Sequence, residues 1–436
     1  MKALVTATVI LALALAALVG GVARESRSAT PTAPAPAPVE AEALRAGFAP
    51  GATQALILGL QADVAARPSD SHPLALLGLA YAQRARETGD AAYVTRADRT
   101  FRRAVRLEPE DFEALTGLGG VALTRHRFRD ALALGRRAIA AAPGTAAPYG
   151  VLGDALLELG RYDAAFAAFD RMAALKPNTS SYARVSYARE LRGDVAAAID
   201  AMELALDAAA GRPEAYAWTA VELGKLHWSV GRAPRAASFY RLALAARPGF
   251  APALDALARF EAAQGRLGRA VALQRRAVEA VPLPGYVAQL GDLLSATGRK
   301  REAREQYGLV AAIEKIQAAN GSRIDLESAL YRTDRGIRLA ETLGLARLAH
   351  VRRPSVAGDD VLAWALTRNG RCGEARRWSQ RSLRLGSRDA SFFFHRGMIE
   401  RCLGRDADAR RWFRLALDTN PHFSLLWSRT ARRYAL

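Results

Sequence analysis

Residues 149–177 read YGVLGDALLELGRYDAAFAAFDRMAALKP, and this stretch sets the pattern for the chain. Its apolar residues recur at helical spacing on both sides of Gly160, so it predicts two amphipathic helices joined by a turn. Pro177 closes the unit. Near-copies recur. Pro109, Pro143 and Pro177 are 34 residues apart, as are Pro248 and Pro282. Each first helix carries a small residue at a fixed place: Gly119, Gly153, Ser186, Gly224, Ala258, Gly291, Ala363 and Gly397. A second follows twelve residues later, as in Ala131, Ala165, Ala198, Ala236, Ala270, Ala303, Ala375 and Ala409. Turn glycines sit between the helices, at Gly160, Gly193, Gly231, Gly265, Gly298, Gly370 and Gly404, where a helix end favours positive φ.

At these residues the chain resembles the tetratricopeptide repeat family, over about residues 74–424. The physical reading agrees. Small residues let paired helices approach closely, and bulky ones such as Leu152, Phe169, Tyr307 and Phe413 fill the remaining space. One hairpin cannot cover its own apolar surface, so stacked hairpins build a continuous core. The expected fold is all-α: a TPR-type α-solenoid, a right-handed superhelix of antiparallel helix hairpins. The stretches SYARVSYARELRGD, VPLPGYVAQLGDL and GMIERCLGRDADARRWFRLALDTNPHFS are similar to a class of exported bacterial tetratricopeptide proteins.

The chain has 436 residues, 50% hydrophobic and 24% charged. Residues 1–23 join one lysine to a long apolar run and a small-x-small end, which predicts a signal peptide, with an uncleaved N-terminal membrane anchor as the alternative. Either way the repeats are expected outside the cytoplasmic membrane, in the periplasm or beyond. A Pro/Ala-rich linker follows at 24–38. The repeat array is expected over 39–316, beginning with a partial unit whose ATQALILGLQADVAARP reads as a lone second helix. Between Gly78 and Ala97 the spacing is seven residues longer than elsewhere, which requires extra helical turns or a small loop. The pattern decays over 317–355, where Asn320-Gly321 marks a break and a degenerate unit follows. Regular units return over 356–424, and 425–436 form a basic, aromatic tail expected to pack on the last helix.

No phosphate loop, G-x-S-x-G elbow or H-E-x-x-H helix is present in the sequence, so no catalytic residue, cofactor or metal is expected. Cys372 and Cys402 fall at the same edge of adjacent hairpins, either as a disulfide or as two half-buried thiols.

In a solenoid of this family the first helices line the concave face. One turn either side of the small residue, that face holds Tyr187, Trp218, Lys225, Trp228, Arg259, Trp364, Phe394, Met398 and Arg401. Aromatics among cations suit recognition of a protein or extended peptide, because Trp, Tyr and Arg are frequent hot spots. The lysine/asparagine carboxylate clamp of some chaperone-binding relatives is missing: Thr116, Gly120, Gly150 and Asp154 occupy comparable places. The expected function is a non-enzymatic binding scaffold of the bacterial cell envelope. The alternative starts from the formal charge of +19. Arginine crowds the last units, from Arg371 to Arg414, which suits an anionic lipid or cell-wall polymer. Export argues against nucleic acid.

Overall fold

The computed structural model describes residues 52–323 and 325–436. The predicted signal or anchor, the linker and the first residues of the array lie outside them. The described residues contain 22 helices and no strand.

A lone helix, α1 (Ala52–Ala66), leads ten hairpins. These are α2 (Ser71–Thr88) with α3 (Ala91–Leu107), α4 (Phe112–Thr124) with α5 (Phe128–Ala141), and α6 (Ala146–Glu158) with α7 (Tyr162–Leu175). Next come α8 (Thr179–Leu191) with α9 (Val195–Asp207), α10 (Pro213–Ser229) with α11 (Ala233–Ala246), and α12 (Ala251–Ala263) with α13 (Leu267–Ala280). Then follow α14 (Pro284–Ala296) with α15 (Lys300–Ala319), α16 (Asp325–Arg335) with α17 (Leu339–Arg352), α18 (Val356–Arg368) with α19 (Cys372–Ser382), and α20 (Ala390–Cys402) with α21 (Asp406–Thr419). A short α22 (Ser428–Ala435) ends the chain.

The two helices of a hairpin are built differently. In α4 every residue from Ala114 to Leu123 is buried. In α5 burial is confined to one stripe: Phe128, Ala131, Leu132, Gly135 and Ala138. A helix apolar all round belongs inside, and one with a single apolar stripe belongs on the outside. First helices therefore form an inner row, touching the next first helix as well as their own partner. The extra residues of the first hairpin lengthen both of its helices, to 18 and 17 residues against 13 and 14 in the second. The tail is α22, packed on α21.

Local chemistry sets the ends. Asp70, Asp111, Asp194, Ser355 and Asp389 cap helix starts with their side chains. Asn178 and Ser181 form a reciprocal capping box at α8. The tight turns place glycine at positive φ, for example Gly160 at 71° and Gly193 at 79°. In the second hairpin His126 takes that conformation instead, at φ 54°.

The repeats do not contact only their neighbours. The spiral winds tightly enough for its second turn to sit on its first. His126 Nδ1 lies 2.9 Å from the Arg323 carbonyl, and the Tyr162 hydroxyl accepts from the Val356 amide at 2.6 Å. Ser387 Oγ donates to the Leu191 carbonyl and Asn420 Nδ2 to the Trp228 carbonyl. Arg353 is forked onto Glu158, with Nη2–Oε1 at 2.8 Å, both side chains being 4% exposed or less. These partners are 192–197 residues apart. The tight turns of the second to fifth hairpins thus dock on the loops that follow the seventh to tenth. The first hairpin joins the series, because a Cβ on Gly89 would lie 2.8 Å from Val281, in the loop after the sixth. This seam has a constant offset of five hairpins.

Candidate functional site

The inner row offers one side chain per hairpin at the place just after the small residue. Read upward from α6 these include Asp154, Tyr187, Lys225, Arg259, Asp292, Trp364 and Met398. The tight winding decides which of them solvent can reach.

Five of the nine residues expected on an open concave face are interior. Trp364 and Phe394 are 0% exposed, Trp218 and Trp228 5%, and Tyr187 7%. Each has an identifiable neighbour, which for Trp364 and Phe394 comes from the adjacent hairpins and the C-terminal tail, and for Trp218, Trp228 and Tyr187 from the second turn. Trp364 stacks on His395, meets Trp427 edge-on, and donates its indole N–H to Asp334 at 2.9 Å. Phe394 packs on Phe423 and Trp427. The Trp228 carbonyl holds Asn420 across the seam, and its ring lies by His422. Trp218 and Tyr187 share a core cluster with Val356 and Phe392 of the second turn. Burial also pushes the Tyr187 hydroxyl well above its ordinary pKa, with the Glu158 charge adding to the effect. The aromatic docking surface is therefore corrected: these rings hold the spiral together.

Lys225, Arg259, Met398 and Arg401 remain reachable. Lys225 and Arg259 stand at equivalent places on consecutive inner helices, α10 and α12, 34 residues apart. Each leans on an acid of its own helix. Lys225 Nζ lies 2.6 Å from Glu222, and Arg259 3.1 Å from Asp255. Both acids are buried, at 2% and 5% exposure. Burial raises the Glu222 carboxyl, and Lys225 opposes that rise. The result is a strip of two buried acids below two partly exposed cations. Flanking places are closed by stronger pairs: Arg184 is forked onto Asp154 at 2.7 and 2.9 Å, and Arg335 onto Asp292. Met398 packs against the C-terminal cluster, and the Arg401 guanidinium lies 3.9 Å over the Tyr434 ring.

The C-terminal arginines are partly engaged. Arg376, Arg396 and Arg405 converge on Glu400, and Arg381 and Arg384 on Asp359. Cys372 and Cys402 are joined, with Cα atoms 6.1 Å apart, tying the start of α19 to the end of α20. Among the described residues no group of three or more His, Cys, Asp or Glu side chains could hold a metal ion, and no helix is long and apolar enough to cross a membrane. Asp334, Arg368 and the seam pair of Glu158 and Arg353 escaped the sequence reading: the first two meet Trp427 where the tail folds back, and the pair is set by the winding rather than by the repeat.

Tetratricopeptide repeat family models match residues 122–186, and 94–146 with 361–422. No curated protein matches the chain. Among solved structures, a thermophilic tetratricopeptide repeat protein of Thermus thermophilus is 24% identical, covering 40% of this chain and 91% of its own, with TM-score 0.36. A pilF protein of Pseudomonas aeruginosa is 20% identical, covering 48% and 90%, with TM-score 0.36. Human IFIT1 is 13% identical, covering 93% and 94%, with TM-score 0.46. With hairpins stacked by small residues at the places those repeats require, this chain is a tetratricopeptide repeat protein.

Proposed function

We propose that this chain is a non-enzymatic scaffold of the bacterial cell envelope that holds a protein or extended peptide on its inner helices. The observation that carries the reading is the Lys225–Arg259 strip, where two partly exposed cations repeat at one register over buried acids. Such a strip suits an extended polypeptide with acidic side chains, gripped by charge-assisted hydrogen bonds. The apolar N-terminal run and the Cys372–Cys402 bridge support an exported protein, because disulfides persist in oxidising compartments. Capture of partners from envelope extract by the wild-type chain and by Lys225→Ala/Arg259→Ala tests it. Loss of the wild-type partner from the double variant is expected; identical partner sets would remove the strip from consideration.

The second reading, affinity for an anionic lipid or wall polymer, is favoured by three guanidinium groups around the single Glu400 carboxylate. Retention on anionic vesicles should then fall steeply with salt, since charge contacts are screened.

A further inference from the structure

Residues 421–436 do more than close the end of the stack. They cross the inner face as far back as the eighth hairpin. The Trp427 ring stands in a slot built by three successive hairpins. Phe394 of α20 stacks on it at 5.6 Å between centroids, and Trp364 of α18 meets it edge-on at 5.5 Å. The Arg368 guanidinium lies 5.3 Å over it, and Asp334 of α16 accepts its indole N–H at 3.0 Å. Nearby, Phe423 leans on Phe394, and Tyr434 packs on Phe413 under Arg401.

The segment in the slot is lightly built. α22 has eight residues, of which only Ser428 and Ala431 are buried, and the Ser424 hydroxyl accepts the Leu426 and Trp427 amides at its start. Isolated helices shorter than about 12 residues are marginal in water, so contacts with the slot hold its shape. Arg429, Arg432 and Arg433 face outward. The slot thus draws on three hairpins, while its occupant is short and amphipathic.

We propose that this slot is a binding site for an amphipathic partner helix bearing a tryptophan anchor and an arginine-rich outer face. The chain's own tail fills it until such a helix displaces it. Aromatic anchors entering a groove from a helix are a recurrent recognition mode. The site is separate from the Lys225–Arg259 strip and does not rest on it. A tail docked in ~99% of molecules lowers the apparent affinity of an outside helix about 100-fold.

The test uses a labelled synthetic peptide of sequence 421–436 and the full chain. The peptide is expected to bind Trp427→Ala between about tenfold and 100-fold more tightly than wild type. The same peptide with alanine in place of its tryptophan should not bind. Equal binding to both proteins, or binding indifferent to the peptide's tryptophan, overturns the proposal. If Trp427→Ala proves unfolded by circular dichroism, hydrogen exchange on the wild-type chain decides. Amides of Ser428–Ala435 exchanging at least ~100-fold faster than those of α21 support a displaceable tail; equal protection in the two helices overturns it.

Discussion

At Gly193 two demands meet in one residue. Its φ of 79° lies in the left-handed region, and a Cβ there would press into the Gly386 carbonyl oxygen of the next turn. Gly265 has nearly the same φ, 75°, with nothing within 4 Å of a Cβ. The pair separates backbone strain from seam packing. Gly265→Ala should cost about 1–2 kcal/mol, the ordinary penalty for the left-handed region. Gly193→Ala should exceed it by at least about 1 kcal/mol of overpacking. Urea denaturation of both variants checks this, and equal losses would mean that the seam yields at Gly193. The turn glycine was legible because positive φ is a local requirement. The facing carbonyl was not, because it comes from five hairpins away. The same gap explains Trp218 and Trp228: their place on the first helix was readable, and the tight winding that buries them was not. Trp364 is covered by Trp427 of the C-terminal tail, whose path back over the inner helices the repeat pattern does not place.

At the scale of the hairpin, the small residue of the first helix is matched to its partner. Where it is glycine, a ring of the second helix usually lies against it: Gly153 with Phe169, Gly224 with Tyr240, Gly291 with Tyr307, Gly397 with Phe413, each sixteen residues on. Where it is Ser186, Ala258 or Ala363, the matching residue is Met202, Gln274 or Ser379. In the lengthened first hairpin Gly78 meets Phe101, so this spacing grows by the same seven residues as that from Gly78 to Ala97. This pairing lay open in the sequence as a sixteen-residue offset, of which Phe169, Tyr307 and Phe413 were legible as bulky fillers and Tyr240 was not. Phe169→Ala should cost about 3–5 kcal/mol through the cavity it leaves. Gly153→Ala should cost at least about 1 kcal/mol less in a Phe169→Leu background than in wild type, as expected for residues in contact. Simple additivity in that double-mutant cycle would separate the two positions. The disulfide acts on the same scale. It closes a 30-residue separation between consecutive hairpins, for which chain entropy gives roughly 3–4 kcal/mol. Reductant should lower the melting temperature of wild type and leave Cys372→Ser/Cys402→Ser unmoved.

For the whole molecule the seam is the distinguishing feature. Arg353 is its hub, reaching Glu158 of the first turn and Glu327 of the second. Burial alone would raise the Glu327 carboxyl, but His126 and Arg353 outweigh it and hold the group below its ordinary range. A depressed carboxylate contributes stability above its unfolded pKa, about 4.3, and loses it as pH falls through the lower native value. Within the first helices the sign is opposite. Burial raises Asp154, Glu222 and Asp292 despite their cationic partners, so protonation there relieves the fold. Acidification below about pH 4 should therefore part the two turns while the hairpins keep their helicity. Small-angle scattering should show the radius of gyration rising before the far-ultraviolet helix signal falls; simultaneous change would place the weak point inside the hairpins. Arg353→Ala should cost about 3–5 kcal/mol, because the buried Glu158 carboxylate is left without its partner. An ordinary solenoid can gain or lose a unit anywhere, since each unit answers only to its neighbours. Here one hairpin inserted at the middle would put every later loop opposite the wrong turn, all along the spiral at once. Gene duplication inside the spiral is barred for that reason: its interior count is locked like the teeth of a gear already in mesh.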